Sequence, residues 1–490
     1  MRNKPNVIYI LADDMGYGDV SHFNENCGFK TENFDEMCER GLSFEDAHAS
    51  SSLCTPSRYG ILTGRYNWRS RLKNGVLGGY SKPLIEEGRE TVANLFKNQG
   101  YKTACIGKWH LGLDWKWVGE EQDVVTFDAP EGIDYSKEIG KTPNHYGFDY
   151  FYGISSSLDM PPYVYIENNR VTMEPTKFTS GEGKGFWRKG PTADDFNHEE
   201  VFPNMTDRVI KFIEDNKKEP FFIYYPMPAP HTPILPLDEF KGKSALNEYG
   251  DFVMMCDSEV GRINKCLKDN GLYDNTIVIF TSDNGFAPMA GFQELIDLGH
   301  NPSYKFRGHK ADIYEGGHRV PLIITWPDKI NGGRRIKETV SLVDFMATMA
   351  ELFEVKLPSN MGEDSVSNLE AWLNEEYKKP IREATVSQSD DGSLSIRKGD
   401  FKLEMCPGSG GWSYPAPNKD DTSNMPSVQL YNLKHDIGEK NNICEEKPEI
   451  VRELKILLAK YIRDGRSTYG EKQKNDGVDV WPTIEWIKED

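Results

Sequence analysis

The segment VIYILADDMGYGD, residues 7–19, is an apolar run that ends in two aspartates followed by a glycine. A second segment, TIVIFTSDNGF at residues 276–286, has the same design and ends in Asp283, Asn284 and Gly285. Short continuous apolar runs are typical of strands buried in a parallel sheet, and the glycines permit a sharp turn where each strand ends. Because ligands collect at the carboxyl ends of such strands, both polar ends are expected to lie at one edge of an α/β sheet.

The rest of the chain alternates apolar runs with helical periodicity, which predicts βαβ units. We expect a large, mostly parallel sheet sandwiched by helices. Further predicted strands are KTACIG, PFFIYYPM and VPLIITWP, and predicted helices cover 91–100, 204–217, 246–270 and SLVDFMATMAELF. The region 115–200 is rich in Gly, Pro and aromatic residues, and it predicts long loops over one sheet edge.

The sequence pattern changes after about residue 365. The segments ATVSQSDDGSLSIRKGDFKLEM and SVQLYNLKHD predict short strands joined by DG and GD turns. An amphipathic helix is predicted over 447–464. We therefore expect a main α/β domain over 1–365 and a subdomain over 366–490, made of a small antiparallel sheet and a packed helix.

Composition excludes several classes of partner. A net charge of -19 over 490 residues argues against nucleic acid, and no apolar run is long enough to span a membrane. Eight cysteines without a CxxC pair form neither a disulfide framework nor a zinc motif. The N-terminal MRNKPNVIYILADD has no signal-peptide pattern. The protein is therefore expected either in the cytoplasm, or in the periplasm or outside the cell with a leader that this chain lacks.

The strand ends carry an oxygen-only set of side chains: Asp13, Asp14, Asp283 and Asn284. Three carboxylates and one amide suit Ca²⁺ or Mg²⁺ better than zinc. Asp and Asn also end strands simply as turn formers. The two matched pairs leave both interpretations open at this point.

Basic and imidazole side chains follow other predicted strands. GYKTACIGKWHLG carries Lys108 and His110, PMPAPHTP holds His231 in a proline-fixed loop, and YKFRGHK carries Lys310. A histidine in a rigid loop suits general acid or base catalysis, although each motif alone is also typical of a solvated surface. Together with Arg58 and a hard cation, these groups would stabilise a tetrahedral oxyanion, either sulfate or phosphate.

Cys54 opens the segment CTPSRYGILTGR, residues 54–65. It is either a buried thiol beside a helix start or a nucleophile, native or made by modification. A tyrosine-phosphatase-type loop is excluded, because only three residues separate Cys54 from Arg58. A Ser-His-Asp hydrolase is unsupported, because no G-x-S-x-G segment follows a predicted strand.

Taken together, these segments resemble the type I sulfatases of the alkaline-phosphatase-like superfamily. CTPSRYGILTGR is similar to the first family signature and GYKTACIGKWHLG to the second. The ADD, SDNG and RGHK…EGGHRVPLIITWP segments follow in the family's order, and the resemblance runs from about residue 5 to 330. It implies that a separate maturation enzyme, which reads the Pro and Arg of C-x-P-S-R, oxidises Cys54 to formylglycine.

The resemblance also implies roles for the other motif residues. Ca²⁺, in preference to Mg²⁺, would be bound by residue 54 together with Asp13, Asp14, Asp283 and Asn284. The leaving oxygen would be protonated and the sulfate bound by His231 and Lys310. His110 would act as the base that expels sulfate, and the hydrated aldehyde would be held by Arg58 and Lys108.

The resemblance implies that the substrate is a sulfated sugar. We expect a bacterial enzyme that is exo-acting and removes sulfate from galactose or N-acetylgalactosamine. The loops 145–170 and 286–310 are expected to line the pocket mouth, where the candidate sugar-binding residues are Tyr163, Arg170, His300 and His309. Three alternatives stay open: an arylsulfatase acting on small esters, a phosphonate or phosphodiester hydrolase, and an inactive glycan-binding homologue.

Overall fold

The computed structural model describes residues 4–121, 124, 126–417 and 419–488. Its helices are α1 Glu32–Arg40, α2 Cys54–Thr63, α3 Val92–Asn98, α4 Val201–Asn216, α5 Glu248–Asp269, α6 Phe292–Asp297, α7 Glu315–His318, α8 Phe345–Leu352, α9 Leu369–Leu373 and α10 Pro448–Asp464. Its strands are β1 Asn6–Ala12, β2 Leu42–His48, β3 Lys102–Lys108, β4 Tyr150–Ile154, β5 Ile166–Glu167, β6 Arg170–Val171, β7 Lys177–Thr179, β8 Gly190–Thr192, β9 Phe221–Pro226, β10 Thr276–Ser282, β11 Arg319–Thr325, β12 Arg334–Ile336, β13 Val340–Ser341, β14 Thr385–Gln388, β15 Leu394–Lys398, β16 Phe401–Glu404 and β17 Gln429–Asn432.

The main sheet is large and mostly parallel, which confirms the predicted fold class. Its strand order is β12-β2-β11-β10-β1-β9-β3-β4-β5-β6, with β13 also paired to β2. Strands β1, β3, β4, β9 and β10 form its parallel centre, and β11 enters antiparallel to both β10 and β2. The register of β1 on β10 sets Ala12 opposite Ser282, so Asp13 and Asp283 leave the sheet side by side.

The region 115–200 contains more regular structure than the sequence predicted. Strand β4, with the sequence YFYGI, pairs in parallel with β3, and the β5–β6 hairpin extends the sheet beyond it. This strand is short and buried along four of its five residues, so it has no polar–apolar alternation by which to recognise it. The expectation of loops alone over this edge was wrong.

The C-terminal part forms the predicted antiparallel sheet, in the order β14-β15-β16-β17, with helix α10 packed on it. Gly399, at a φ of +58°, reverses the chain between β15 and β16, as the GD turn predicted. The core between this sheet and α10 also includes Tyr66, Trp68 and Val343 from the preceding part of the chain. In the described ranges, no helix combines the length and apolarity needed to cross a bilayer.

Candidate active site

Cys54 is the first residue of α2 and follows Leu53, whose backbone is extended. The helix ends at Gly64, at a φ of +63°, a left-handed conformation that glycine adopts readily. The Cys54 side chain is buried, with 2% of its surface exposed. Burial raises the pKa of this thiol, although Lys108 and Lys310 oppose the shift. Unmodified Cys54 is therefore a neutral thiol and a poor nucleophile.

The acidic side chains converge at the carboxyl ends of β1 and β10, as the strand patterns predicted. Ligand atoms of Asp13, Cys54 and Asp283 lie within 4.8 Å of one another. The Asp14 backbone N–H donates to Asp283 Oδ1 at 3.2 Å, and Asn284 Nδ2 donates to Asp14 Oδ1 at 2.7 Å. All four acidic and amide side chains are buried.

Three buried cations neutralise the three buried carboxylates. Arg58 donates to Asp283 Oδ2 from Nε at 3.0 Å and from Nη2 at 2.7 Å, and its Nη2 lies 3.3 Å from Asp13. Lys108 Nζ donates to both oxygens of Asp13, at 2.9 and 2.7 Å. Lys310 Nζ donates to Asp14 at 2.7 Å. Buried carboxylates are stable only with such partners, so the cations hold this acidic group in place.

This group of residues fits a hard divalent cation. Asn284 Oδ1 is a buried acceptor with no hydrogen-bond partner in the described chain, and it lies beside the carboxylates that would complete an oxygen ligand set. Burial is the main reason that the pKa of Asp283 rises to about 6. The neighbouring Asp13 carboxylate also raises this pKa, whereas Arg58 lowers it. Burial also acts on Asp13, but Lys108, His231 and Arg58 hold the pKa of that carboxyl well below its ordinary value.

His110 has one ring nitrogen free to accept a proton. Its Nε2 lies 2.7 Å from the Leu77 carbonyl oxygen and must donate to it, which leaves Nδ1 as the acceptor. Nδ1 is buried and has no hydrogen-bond partner within the described residues. Burial, with Lys108 and Arg58 nearby, lowers the pKa of His110 well below its usual value. The ring is therefore a neutral base.

His231 has the opposite tautomer. Its Nδ1 donates to the Thr232 carbonyl oxygen at 2.5 Å. Its Nε2 lies 3.4 Å from Ser157 Oγ and 3.5 Å from Asp14 Oδ2. Because Nδ1 holds a hydrogen in this bond, Nε2 is the nitrogen that can exchange a proton with a ligand, and it lies beside the Asp14 carboxylate. The Ser157 hydroxyl also accepts from Lys108 at 2.7 Å, so it joins two of the predicted catalytic side chains.

A cavity of about 520 Å³ is lined by Cys54, His231 and Lys310, all three of them largely buried. The other residues that line it come from several distant parts of the chain: Leu53, Gly75, Val76, Phe127, Ser157, Asp159, Met160, Gly183, Lys184, Phe186, Arg188, Thr232, Met289, Asp390 and Trp412. Another cavity, of about 690 Å³, is lined by Tyr17 and Arg335 among others but contains none of the predicted catalytic residues. The chemistry therefore belongs to the smaller cavity.

None of the four predicted sugar-binding residues lines this cavity, which corrects the sequence prediction. Tyr163 is buried and donates to the Asp159 and Arg188 carbonyl oxygens at 3.1 and 2.6 Å. The other three are held by protein partners: Arg170 pairs with Glu138 at the surface, His300 with buried Asp19 at 2.8 Å, and His309 with the Lys310 carbonyl at 3.1 Å. Tyr163 instead positions two residues that do line the cavity.

The polar lining residues that were not predicted from the sequence include Ser157, Asp159, Arg188, Asp390 and Trp412. The first two follow β4, and recognising that strand would have placed them at the same sheet edge as Lys108. The other three lie in loops that carry no catalytic motif. No signal in the sequence alone connects them with Cys54.

An α/β sheet whose carboxyl edge carries a group of buried carboxylates that could hold a cation, together with three buried basic side chains, is the arrangement expected of a hydrolase for esters of a tetrahedral oxyanion. Residues 5–355 match the sulfatase family model. The chain is 33% identical to N-acetylgalactosamine-6-O-sulfatase of Bacteroides thetaiotaomicron, over 93% of this chain and 92% of that protein. It is 31% identical to human arylsulfatase A, over 97% of this chain and 91% of that protein.

A solved sulfatase structure, described with the metabolism of multiple glycosaminoglycans by Bacteroides thetaiotaomicron, is also similar. It superimposes with a TM-score of 0.80 at 32% identity, covering 93% of this chain and 99% of that one. The chain therefore belongs to the sulfatase family and is a sulfuric ester hydrolase. Members of this family use a formylglycine and a divalent metal ion.

Proposed function

We propose that the protein is an exo-acting carbohydrate sulfatase that removes sulfate from a galactose-type or N-acetylgalactosamine-type sugar. The observation that carries the proposal is the position of Cys54, with its cations and carboxylates, at one end of a 520 Å³ cavity. A cavity of this size accommodates the end of a saccharide. The similarity to a protein named N-acetylgalactosamine-6-O-sulfatase supports the sugar class.

The first half of the reaction transfers the sulfo group from the substrate oxygen to residue 54. As a hydrated formylglycine, residue 54 supplies two hydroxyls on one carbon, one to take the sulfo group and one to expel it. Lys310, at the floor of the cavity, offsets the charge of the sulfate oxygens. His231 donates the proton on Nε2 to the leaving sugar oxygen, and the proton of the attacking hydroxyl passes to the Asp283 carboxylate, which lies within 4.8 Å of the Cys54 ligand atom.

The second half releases sulfate. His110 Nδ1 takes the proton of the remaining hydroxyl, the carbon–oxygen bond to sulfate breaks, and the aldehyde forms again for hydration by water. The Leu77 carbonyl keeps the His110 tautomer that this step needs. Arg58 and Lys108 hold the Asp283 and Asp13 carboxylates next to residue 54. Calcium is the proposed cation, held by residue 54, Asp13, Asp14, Asp283 and Asn284, and it would polarise the nucleophile and a sulfate oxygen.

Maturation by a formylglycine-generating enzyme is part of the proposal. Cys54, Pro56 and Arg58 are all buried in the folded chain, so a modifying enzyme must meet this segment before it folds. We place the mature protein in the periplasm or outside the cell, where sulfated polysaccharides are found, with the cytoplasm as the alternative.

The test combines a mass spectrum with an assay panel. The tryptic peptide 41–58 contains Cys54 as its only cysteine, so formylglycine is read from one peptide. The matured protein is then assayed for sulfate release from galactose and N-acetylgalactosamine sulfates, before and after chelation and with Ca²⁺ or Mg²⁺ added back. We expect release from one sulfate position, loss on chelation and fuller recovery with Ca²⁺. A fully matured protein that is inactive on every sulfated sugar contradicts the proposal.

A small aryl ester is the second candidate substrate. Phe127, Phe186 and Met289 line the cavity with 37%, 42% and 58% of their surfaces exposed, and such apolar groups also suit an aromatic ring. Rates on 4-nitrophenyl sulfate, a phosphodiester and a phosphonate belong in the same panel. A carbohydrate sulfatase hydrolyses its sugar sulfate faster than all three, whereas a faster phosphodiester or phosphonate would assign the protein to another branch of the superfamily.

A further inference from the structure

Two carboxylates that the proposed mechanism does not use, Asp159 and Asp390, line the same cavity as Cys54. In each, one oxygen accepts from a protein donor: Asp159 Oδ2 from Arg188 Nη1, and Asp390 Oδ2 from Trp412 Nε1 at 2.9 Å. The Oδ1 atom of each has no hydrogen-bond partner among the residues described, and that of Asp159 is enclosed. An enclosed acceptor without a donor costs free energy that a ligand donor can recover.

Both carboxylates lie close to the reacting end of the cavity. Asp159 is two residues from Ser157, whose hydroxyl contacts Lys108 and His231, so the Cα atoms of the two are within about 7 Å. The Asp390 backbone N–H donates at 2.9 Å to the carbonyl of Ala311, which follows Lys310. A ligand with its sulfate at Lys310 is therefore expected to place its sugar ring in the part of the cavity that both side chains line.

The partners of each carboxylate are also held in place. The Arg188 guanidinium lies over the rings of Phe127 and Phe186, at 5.3 and 5.8 Å. The Trp412 backbone N–H donates to Asp312 at 2.8 Å, which fixes the indole beside Asp390. Two fixed acceptors thus remain for a ligand that brings donors.

We propose that Asp159 and Asp390 bind free ring hydroxyls of the sulfated sugar and select a residue that carries one sulfate and no other charge. A hydroxyl donates a hydrogen bond to a carboxylate, whereas a second sulfate or a uronate offers only acceptors and is repelled. The apolar faces of Phe186 and Trp412 complete the walls for the uncharged face of the ring. This inference rests on the proposed function and names its specificity determinants.

The variants Asp159→Asn and Asp390→Asn test it. In Asp390→Asn the new amide oxygen has to face Trp412 Nε1, so the NH₂ group replaces the free acceptor with a donor. We expect kcat/KM for the preferred sugar sulfate to fall roughly 10- to 100-fold in each variant. For 4-nitrophenyl sulfate, which has no ring hydroxyl, the loss is much smaller. The matched control is Asp207→Asn, another Asp paired with an Arg (Arg262) but at the surface, and it retains both rates.

A substrate arm needs no variant. Wild-type protein is assayed on monodeoxy analogues of its preferred sugar sulfate and on the disulfated counterpart. When a hydroxyl that one of the aspartates binds is removed from the sugar, kcat/KM of the wild type is expected to fall by the same factor as the Asp→Asn change at that aspartate causes on the parent sugar. On the same deoxy analogue, the Asp→Asn variant and the wild type are expected to have equal kcat/KM. For the wild type, kcat/KM is expected to be lower on the disulfated sugar than on the monosulfated sugar. The ratio of these two kcat/KM values is expected to be smaller in the variants.

Two results overturn the inference alone: deoxy analogues hydrolysed as fast as the parent sugar, or equal losses on sugar and aryl esters in both variants, which would indicate a structural role. Thermal denaturation of each variant shows whether the substitution causes a folding defect. If it does, the rates of the wild type on the deoxy and disulfated sugars test the inference instead. Failure of the matured wild type on every sulfated sugar is a different outcome, because it overturns the proposed function and the inference with it.

Discussion

Arg58 shows how a single buried residue organises the catalytic end of the cavity. Its guanidinium contacts Asp283 and Asp13, which leave two neighbouring strands, and its Nη1 also donates to the Lys108 carbonyl at 2.9 Å. Its position four residues after Cys54, in the first turns of α2, ties the nucleophile's helix to both strand ends. The C-x-P-S-R spacing is therefore a geometric requirement of the site as well as the proposed maturation signal.

Replacement of Cys54 by serine separates sulfo transfer from sulfate release. A serine has one hydroxyl, so it can take the sulfo group but has no second hydroxyl with which to expel it. We expect Cys54→Ser to release at most one equivalent of alcohol per protein and to carry a sulfo group in its intact mass. Cys266→Ser, far from the cavity in α5, is the control. Sustained turnover by a Cys54→Ser protein with an unmodified serine would contradict the mechanism.

His110→Gln tests the assignment of the releasing base. Glutamine can still donate to the Leu77 carbonyl but offers no basic nitrogen at the Nδ1 position. We expect a first burst of 4-nitrophenol, followed by steady turnover that is about 10²–10⁴-fold slower than in the wild type. Rapid-quench kinetics measure both phases, with His145→Gln at the surface as the control. Loss of the burst itself would assign His110 to the first half of the reaction.

At the scale of secondary-structure elements, the end of one helix is bound by a side chain of another helix. Helix α1 shows this away from the cavity: its N-terminal N–H groups are satisfied by Asp257 of α5 and not by a local cap. Asp257 Oδ1 accepts from the Phe34 N–H at 2.8 Å, and Oδ2 accepts from the Asn33 N–H at 3.2 Å. A carboxylate at a helix N-terminus is favourable, so one side chain joins two helices on the same face of the sheet.

This contact predicts a pH-dependent stability. Burial raises the pKa of Asp257 from 3.8 to about 6, so between these values the folded state binds the proton more strongly than the unfolded state. The stabilisation is complete below about pH 4 and is lost as the pH rises through 6. We expect the unfolding free energy of the wild type to fall by roughly 2 kcal/mol more than that of Asp257→Asn between pH 4 and 7.

Urea denaturation at a series of pH values measures this difference. Asp207→Asn, an exposed carboxyl on α4, should keep the wild-type pH dependence. Parallel curves for the wild type and Asp257→Asn would show that the hydrogen bonds from α1 outweigh burial and keep this carboxyl ionised.

At the scale of the whole molecule, the C-terminal sheet is joined to the main sheet by a buried network of charges. Lys402 of β16 donates to Glu439 at 2.7 Å and lies 3.3 Å from Glu315 of α7. Glu315, His48 and His318 could in principle hold a metal ion, but Lys402, Arg319 and Arg397 all surround Glu315 and disfavour a cation. This cluster therefore serves as a connection between the two parts. The boundary between 1–365 and 366–490 stays a prediction.

Lys402→Met should break this connection. It removes the ammonium group beside buried Glu404 and Glu439 and leaves Glu315 with Arg319 and Arg397 only, which costs about 3–5 kcal/mol. Lys398→Met, on the neighbouring strand, removes a surface pair with Glu453 and should cost less than about 1 kcal/mol. Denaturant unfolding compares the two variants. Equal small losses would show that the two sheets are held together chiefly by their shared apolar core.

The sequence by itself determined strands β1, β3, β9, β10 and β11 of the main sheet, the C-terminal sheet and the convergence of polar side chains at the strand ends. The reason is that Asp13, Asp283 and Lys108 each lie at or just past the end of a buried strand, and strand register carries local patterns into three dimensions. Tertiary structure decided which loops surround the substrate. Asp159, Arg188, Asp390 and Trp412 meet across more than 200 residues of chain, and the aromatic and basic residues chosen from composition, Tyr163 among them, are satisfied by protein partners. Periodicity records burial along one element, but a pocket wall depends on which distant loops pack together.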